Sequence, residues 1–236
     1  MISPVAAHGA FILRISVIIP ALNEAAHLGA CLRSAAQAGA DEIIVVDGGS
    51  TDETVALASQ AIVVRSAAGR AKQQNAGAQA ATGDVLLFLH ADGALSDNAL
   101  DQLRAALQDD RVLWGAFRQQ IEAQGFAYRA LEYGNALRVR WRGLAYGDQG
   151  LWVRRRTFAD AGGFADVPLL EDLLLSRALR RDARPRLLPG PLHVSARRWQ
   201  RHGVLRQTLR NWSILAAHAC GVSPTRLAPR YRRHDK

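Results

Sequence analysis

The sequence predicts an α/β protein whose central sheet is mostly parallel and flanked by helices, with a helical segment at its C-terminal end. Short apolar stretches alternate with stretches of helical length through residues 12–108. Residues 85–92 read Val-Leu-Leu-Phe-Leu-His-Ala-Asp, which is typical of a strand buried on both faces and then broken. Because strands alternate with helices, right-handed crossovers between parallel strands are expected.

The first half of the chain gives four successive strand-helix units. Residues 12–19, 42–46, 61–64 and 85–89 are the predicted strands, and each has the β-branched, apolar composition of a buried strand. A helix is expected after each of them, the third over residues 69–81 and the fourth ending near residue 107. This order predicts a nucleotide-binding type of sheet.

Local signals predict where these elements begin and end. Pro20 is expected to end the first strand, because proline cannot donate to a central ladder. Asn23 and Ser96 are expected to cap the helices that follow them. Ser50 and Glu53 match a capping box for the helix between them and the third strand.

The second half has a less regular order. Strands are predicted over residues 112–121 and 145–153 and helices over residues 126–141, 173–181 and 204–219, with two extended pieces at 185–188 and 192–195. The last helix carries an apolar stripe along one face: Leu205, Leu209, Trp212, Ala216 and Ala219. We expect this stripe to pack against the domain, with a membrane surface or a second subunit as the alternative.

Composition limits the class of protein. With 236 residues, 49% of them hydrophobic and 22% charged, the chain is expected to form one globular domain over residues 1–200 and a helical, basic tail over 201–236. No stretch reaches the ~20 apolar residues of a spanning helix. Residues 1–11 lack the basic start of a secretory signal, so a cytoplasmic location is expected. Cys31 and Cys220 have no metal-ligand or disulfide spacing and are expected to be buried.

Positive charge is concentrated in the second half. Residues 1–100 hold 5 basic and 9 acidic side chains, and residues 101–236 hold 25 and 12. Such a field could attract a phosphorylated substrate, an anionic membrane surface or nucleic acid. The arginines form no dense run interleaved with stacking aromatics, so nucleic acid is not expected as a partner.

Acidic residues recur where predicted strands or loops end, at Asp47, Asp92, Asp148 and the Glu171-Asp172 pair. The carboxyl ends of parallel strands share one edge of a sheet, so these side chains would meet in one crevice. There a divalent cation could hold a diphosphate and a spare carboxylate could act as a base. Neither a Gly-x-Gly-x-x-Gly turn nor a phosphate loop ending in Gly-Lys-Ser/Thr is present, which disfavours a dinucleotide enzyme.

Six motifs in this order resemble family-2 glycosyltransferases with the GT-A fold. They are SVIIPALNE at 16–24, IIVVDGGSTD at 43–52, GRAKQQN at 69–75, LLFLHAD at 86–92, Glu171-Asp172 and Arg198-Trp199. The likeness covers residues 14–200. YGDQG at 146–150 and SARRW at 195–199 resemble the compact bacterial subgroup found beside radical-SAM enzymes and linked to arsenosugar biosynthesis.

The resemblance implies a nucleotide-binding part over residues 12–108 and an acceptor part over 109–200. Asp172 would be the catalytic base, supported by Glu171, and Asp92 would bind Mg²⁺ or Mn²⁺ on the diphosphate. It implies these further substrate-binding residues: Pro20, Asn23, Glu24, Asp47, Gly49, Arg70, Lys72, Asn75, His90, Asp148, Gln149, Arg198 and Trp199. The reaction would be inverting transfer from a nucleotide-diphosphate sugar to a hydroxyl of a small-molecule or lipid-linked acceptor.

Two departures from the family pattern bear on this reading. His90 stands where the family usually has the first aspartate of its Asp-x-Asp element, which makes His90 a candidate metal ligand, and His193 on a late strand is a second candidate. Ser195 replaces the glutamine of the Gln-x-x-Arg-Trp element found in processive members, so a non-processive enzyme is expected.

Other readings stay open. The chain could be a nucleotide-sugar-binding protein that has lost catalysis, with His90 as the best argument, or a sugar nucleotidyltransferase on a similar sheet. If the acceptor is lipid-linked, the helix over residues 126–141 and the last helix would dock peripherally at the inner face of the membrane.

Overall fold

A computed structural model describes residues 13–232, without the side chains of Arg230 and Arg232. Ile12, with which the first predicted strand begins, and the segment 1–11 lie outside the described residues. Strands are β1 Ile15–Ala21, β2 Glu42–Asp47, β3 Ile62–Arg65, β4 Val85–Phe88, β5 Gly93–Leu95, β6 Trp114–Ile121, β7 Leu151–Arg154 and β8 Arg186–Val194. The described strands form one eight-stranded sheet in the order β3-β2-β1-β4-β7-β6-β8-β5.

Helices flank this sheet. They are α1 Ala25–Gln37, α2 Thr54–Leu57, α3 Arg70–Ala80, α4 Ala99–Ala106, α5 Phe126–Leu137, α6 Arg155–Asp160, α7 Glu171–Leu179, α8 Arg197–His202, α9 Val204–Ala219 and α10 Pro224–Arg232. A π-helical turn, Arg138–Arg142, continues α5, and a 3₁₀ turn, Gly147–Gln149, precedes β7. No helix within residues 13–232 is both long and apolar enough to cross a bilayer.

The sheet is parallel where it carries the strand-helix repeat and mixed beyond it. Strands β3, β2, β1 and β4 run parallel to one another, as predicted. Strand β7 then joins β4 and β6 antiparallel, β6 and β8 are parallel, and β5 pairs antiparallel with β8. Four of the seven neighbouring pairs among the described strands are therefore parallel. The predicted α/β fold is confirmed, and its mostly parallel sheet includes three antiparallel pairs.

Strand β4 lies at the centre of the core, as its apolar run predicts. Its four residues and the following Leu89 are fully buried. Val85, Leu87 and Leu89 face one hydrophobic cluster, and Leu86 and Phe88 face the other. The chain therefore leaves the core directly at His90, and the residues that follow open at the carboxyl edge of the sheet.

The expectation that Pro20 ends the first strand is wrong, because β1 continues through Pro20 to Ala21. Leu89 donates its backbone N–H to the carbonyl of Ile18, so Ile18 and, two residues on, Pro20 face the β4 side of β1. The β1–β4 pairing ends at Ile18 and Phe88. Pro20 has no backbone N–H to donate, but no β4 residue is paired with it, so no ladder hydrogen bond is lost there.

The predicted helix caps are also wrong. Glu24 precedes α1, while Asn23 adopts a left-handed φ of 55° and bonds the loop after β2. Ser50 does not cap α2 with Glu53, since its hydroxyl accepts the backbone N–H of Asn23. Asn98, not Ser96, occupies the cap position of α4. Side chains that could cap a helix are used here to join loops.

Several elements differ from the predicted ones in type. Residues 145–153 were expected to be one strand and are a 3₁₀ turn followed by β7. Residues 185–188 and 192–195 belong to the single strand β8, and both β5 and α8 were missed. Cys31 is buried as expected, whereas Cys220 is exposed. The predicted boundary at residue 200 falls within α8.

The apolar stripe of α9 does not pack against the domain, contrary to expectation. Leu205 is 79% exposed, Leu209 61% and Trp212 64%, whereas Ile214 and Gln207 on other faces of the helix are buried. Ile214 packs in a small cluster with Leu169, Leu227 and Ala228. The helix is therefore anchored by a narrow contact, and its most apolar face is directed to solvent.

Candidate active site

The candidate site lies at the carboxyl ends of β1, β2 and β4. Asp47 is the last residue of β2 and lies beside Ala21 at the end of β1. Asp92 follows β4 after three residues. Because these strands are parallel neighbours, their ends meet at one edge, as the sequence predicts.

Asp47 organises the loop after β2. Its Oδ1 accepts the backbone N–H of Ser50 at 2.9 Å and its Oδ2 that of Gly49 at 3.2 Å. Burial alone would raise the pKa of Asp47, but hydrogen bonds, above all those from Ser50, outweigh burial and lower it. In the loop after β1, Asn23 Oδ1 accepts the backbone N–H of Thr51 at 2.8 Å. A charged Asp47 and Asn23 therefore hold one loop conformation between them.

Gln73 on α3 is a site residue that sequence reasoning missed. Its Nε2 donates to the carbonyl of Ala21 and to that of Val46, both at 2.8 Å. Gln73 is 4% exposed, and a Cβ on Gly48 would lie 3.0 Å from its Nε2. Gln73 lies within the GRAKQQN motif at 69–75, and this motif could have identified it as a site residue. Gln73 joins the ends of β1 and β2 beneath the loops.

Helix α3 also carries the predicted cations Arg70 and Lys72 to this edge. Nη1 of Arg70 lies 3.3 Å from Oε1 of Glu171, and Nζ of Lys72 lies 3.7 Å from Oδ2 of Asp166. Asn75 is further along the helix and is not brought into this group. Its amide donates to the carbonyl of Phe164 and accepts its N–H, at 2.8 and 3.0 Å.

Asp172 is fixed at the start of α7 by two backbone donors. Its Oδ2 accepts the N–H of Gly147 at 2.7 Å, and its Oδ1 accepts that of Leu173 at 2.7 Å. Its neighbour Glu171 is 2% exposed. Burial, then repulsion from Asp172, raises the pKa of Glu171, and Arg70 only partly offsets this. Of the predicted carboxylate pair, Asp172 is therefore oriented by backbone hydrogen bonds, and Glu171 is buried.

A polar network supports the turn that holds Asp172. Gln149 is fully buried, and its Oε1 accepts Nη2 of Arg138 at 2.5 Å and the backbone N–H of Tyr146 at 3.2 Å. The Arg138 guanidinium lies over the Tyr146 ring, 3.5 Å from its centroid. Gln149 thus stabilises the turn through these two hydrogen bonds. Asp148 lies in the same turn, where burial raises its pKa despite the nearby Arg138.

His90 is held as a neutral imidazole in the centre of the site. Burial, followed by the charge of Arg70, lowers its pKa from 6.5 to about 3. Its Nε2 is buried and has no hydrogen-bond partner among the described residues. A Cβ atom added to Gly147 would lie 2.8 Å from Nε2 of His90 and 3.5 Å from Oδ2 of Asp172. His90 and Asp172 therefore face the same glycine.

Asp92 is paired with an arginine that the predicted site did not include. Its Oδ2 lies 3.1 Å from Nη2 of Arg197 at the start of α8. Burial would raise the pKa of Asp92, but His90 and Arg197 outweigh it and lower the pKa. Burial, and then Asp92 itself, raise the pKa of Glu24, which places Glu24 in the same neighbourhood.

The remaining predicted residues border this group. Arg198 donates from Nη1 to the Tyr231 hydroxyl at 2.6 Å, and its charge acts on His90, Asp92 and Glu24. Trp199 packs on the core cluster beside β4. His193 lies on β8 opposite Ala94, and no described contact joins it to Asp92 or His90. Pro20 and Gly49 lie in the backbone around Asp47.

The donor set fits a divalent cation that is shared with a ligand. The described residues contain no group of three or more His, Cys, Asp or Glu side chains able to hold an ion alone. They do offer the carboxylate of Asp92 and the unpartnered, neutral Nε2 of His90. Mg²⁺ is commonly bound by one or two carboxylates together with substrate phosphates. These residues therefore fit a metal that a diphosphate completes.

Curated relatives of the chain are glycosyltransferases. It is 30% identical over 165 residues to the undecaprenyl-phosphate 4-deoxy-4-formamido-L-arabinose transferase of Sodalis glossinidius, covering 63% of this chain and 51% of the relative. It is 45% identical over 91 residues to a PGL/p-HBAD biosynthesis glycosyltransferase of Mycobacterium bovis, covering 34% and 36%. The chain thus spans about a third to a half of the length of these relatives.

Solved structures share the fold. A mannosyltransferase from Pyrobaculum calidifontis in complex with GDP-Man and Mn²⁺ has a TM-score of 0.63 at 20% identity, over 93% of this chain and 68% of that one. S. aureus TarS 1–349 in complex with UDP-GlcNAc has a TM-score of 0.61 at 17% identity, over 78% and 58%. These likenesses show the GT-A fold.

A family profile covers most of the chain. Residues 16–165 match the profile of glycosyl transferase family 2. The match contains nearly all of β1, the strands β2 to β7 and the predicted site residues from Pro20 to Gln149, whereas the Glu171-Asp172 and Arg198-Trp199 motifs follow it. The chain therefore belongs to glycosyltransferase family 2 and has the GT-A fold.

Proposed function

We propose that the protein is a metal-dependent, inverting and non-processive glycosyltransferase that moves a sugar from a nucleotide-diphosphate donor to an acceptor hydroxyl. The observation that carries this proposal is the position of Asp172. Its carboxylate is oriented by the backbone N–H of Gly147, and the same glycine faces the unpartnered Nε2 of His90, two residues before Asp92. These contacts support a base at Asp172 close to a phosphate-binding group at His90 and Asp92.

The donor would lie along the carboxyl ends of β1, β2 and β4. The Asp47 carboxylate and the loop that it orders would bind the base and ribose, with Pro20 and Asn23 beside them. Arg70 and Arg198 would face the diphosphate, since both charges act on His90. Asp92 and His90 would hold Mg²⁺ or Mn²⁺, which when bound stabilises the negative charge of the leaving diphosphate.

Asp172 would take the proton of the acceptor hydroxyl. Two backbone hydrogen bonds fix its carboxylate plane and leave a lone pair on each oxygen free. The hydroxyl would attack the anomeric carbon from the face opposite the diphosphate, so the configuration at that carbon inverts. Glu171 would hold Arg70 in place through their ion pair. Arg70 would stabilise charge as it develops on the diphosphate.

A lipid-linked acceptor is favoured over a free small molecule. The support is the likeness to relatives named as undecaprenyl-phosphate transferases. Because Asp172 would remove a hydroxyl proton, the lipid-linked acceptor proposed here offers a hydroxyl, and not a lipid phosphate, as its nucleophile. The relation to the radical-SAM-associated subgroup remains a prediction, as does a cytoplasmic location at the inner face of a membrane. Sugar nucleotidyltransfer is disfavoured, because Pro20 and Asn23 stand where such an enzyme has a glycine-rich phosphate loop.

Ligand-induced stabilisation tests the donor site. We expect a nucleoside diphosphate with Mn²⁺ to raise the melting temperature of the wild-type chain, because a ligand that binds only the native state stabilises it. Asp92→Asn should lose the Mn²⁺-dependent part of the shift. Asp172→Asn should keep the whole shift yet lose release of nucleoside diphosphate from the sugar donor. Asp101→Asn, at an exposed carboxylate on α4, is the matched control.

Two results would contradict the proposal. Turnover of the Asp172→Asn protein at the wild-type rate would remove Asp172 as the base. A donor-induced shift without any turnover in the wild-type chain, across all donors and lipid-linked acceptors tried, would favour the nucleotide-sugar-binding protein instead.

A further inference from the structure

Helix α9 directs an apolar face to solvent. Leu205, Leu209 and Trp212 are each more than half exposed and succeed one another at the spacing of one helix face, with Ala216 and Ala219 continuing the row. In an ordinary surface helix this face would be turned inward. A stripe of this kind rimmed by polar residues marks an interaction surface.

The chain segment that carries this stripe has charge of one sign. Residues 197–232 contain eight arginines and no aspartate or glutamate. Arg206 lies exposed on α9 between Leu205 and Leu209 in sequence. A groove of about 420 Å³ between α8 and α9 is lined by His202, Arg206, Gln207, Leu209, Arg210 and Ser213. Apolar contact and positive charge are therefore presented together.

We infer that α9 is a docking surface for an anionic lipid bilayer. An amphipathic helix with arginine on its polar face and leucine and tryptophan on the other lies in the plane of the membrane interface. Tryptophan is favoured at the level of the headgroups, because its apolar ring contacts lipid while its N–H bonds water, and Trp212 is placed to do this. The groove beside Leu209 takes a lipid phosphate, and the exposed Arg206 supplies its charge partner.

A second copy of the chain fits this surface less well. In a two-fold symmetric dimer the same patch occurs on both sides of the interface. The patch carries Arg206 and Arg210 and lies in a segment without acidic residues, so like charges would face each other. An anionic bilayer has the complementary charge.

Vesicle flotation of the full chain tests the docking surface independently of donor or catalysis. We expect the protein to float with phosphatidylcholine vesicles that contain phosphatidylglycerol, and to float poorly with phosphatidylcholine alone. Leu209→Glu should weaken binding about tenfold or more, since it puts a carboxylate at the apolar interface. Leu57→Glu changes a leucine on α2 that is 44% exposed and should bind as the wild type does.

The charge contribution is tested in the same assay. Arg206→Glu should weaken binding about tenfold at low salt, and added salt should reduce wild-type binding toward the variant's level. Arg33→Glu, at an exposed position on α1, is the matched control. Melting curves of all variants should overlay, because each substituted side chain is exposed.

Tryptophan emission locates the surface. Vesicles should shift the wild-type emission to the blue, and Trp212→Phe should remove most of that shift. A blue shift that persists in Trp212→Phe would assign the contact to another tryptophan, such as Trp141, which is 73% exposed, and would overturn the inference. Unchanged flotation of Leu209→Glu, or a wild-type dimer in light scattering that Leu209→Glu converts to monomer, would overturn it too.

Discussion

The backbone N–H of Gly147 donates a 2.7 Å hydrogen bond to Oδ2 of Asp172, and the same glycine faces Nε2 of His90. A turn after the helix α5 and its π-helical extension thus fixes a carboxylate at the start of α7. Position 147 has no space for a larger residue, because a Cβ atom on it would lie 2.8 Å from Nε2 of His90 and 3.5 Å from Oδ2 of Asp172.

Gly147→Ala should therefore disturb the Asp172 carboxylate, the proposed base, and leave the fold intact. We expect donor turnover to fall about a hundredfold, since a misplacement of ~1 Å at a reacting group can cost that much. Release of nucleoside diphosphate measures it. Gly134→Ala is the control, because a Cβ there meets nothing within 4 Å. Equal rates for both variants would show that the contact between Gly147 and Asp172 does not set the rate.

Glu171→Gln should change how stability depends on pH. Burial raises the pKa of Glu171 above its ordinary 4.5, so its stabilising effect is complete below about 4.5 and is lost as pH rises through the folded-state pKa. Glutamine does not titrate, so the free energy of unfolding of the wild type relative to the variant should decline above about pH 4.5. Urea unfolding at a series of pH values measures this. A constant difference would contradict the raised pKa.

His90→Gln should show the opposite dependence. The folded-state pKa of His90 is about 3, against an ordinary 6.5, so its contribution is present above 6.5 and is lost as pH falls toward 3. Between about pH 6.5 and about pH 5 the wild type should lose ~1–2 kcal/mol more stability than His90→Gln, at 1.36 kcal/mol per pH unit. Parallel curves from urea unfolding would mean that His90 is charged or exposed.

Arg197→Gln should make metal binding easier. Arg197 occupies Oδ2 of Asp92 at 3.1 Å, so a cation must displace it or share the carboxylate. We expect the Mn²⁺ concentration for half-maximal donor-induced stabilisation to fall severalfold. Arg111→Gln, which breaks the exposed ion pair with Asp109, should leave it unchanged. A rise in that concentration would show that Arg197 assists the metal-diphosphate complex.

The sequence could predict the edge of the sheet because periodicity identifies parallel strands and parallel strands end together. Asp47 and Asp92 follow from that rule. The Glu171-Asp172 pair does not, because α7 comes after α6 and a loop, and its place in the site is indicated by the motifs. Arg197 could not be paired with Asp92, since 105 residues separate them and no local pattern joins them. The strand predicted over residues 145–153 includes the turn 147–149, because the contact between Gln149 and Arg138 that supports this turn is not visible in the local sequence.

Helix α9 shows the limit of reasoning from periodicity. The spacing of Leu205, Leu209 and Trp212 predicts an amphipathic helix, and α9 has the predicted bounds. Periodicity identifies the apolar face, but it does not predict whether that face packs against the protein or is exposed. Here the polar Gln207 is buried and the leucines are exposed, a choice that depends on packing of α10 and of the loop before α7.

The amide of Gln73 has a consequence for changing donor preference. One side chain bonds the carbonyls that end β1 and β2, so the two loops that would hold the base and ribose share a single foundation. Substitutions in the strands would therefore be expected to move both loops together. Selectivity among nucleotides should therefore evolve, or be engineered, at the loop tips around Leu22 and Thr51, above that fixed base.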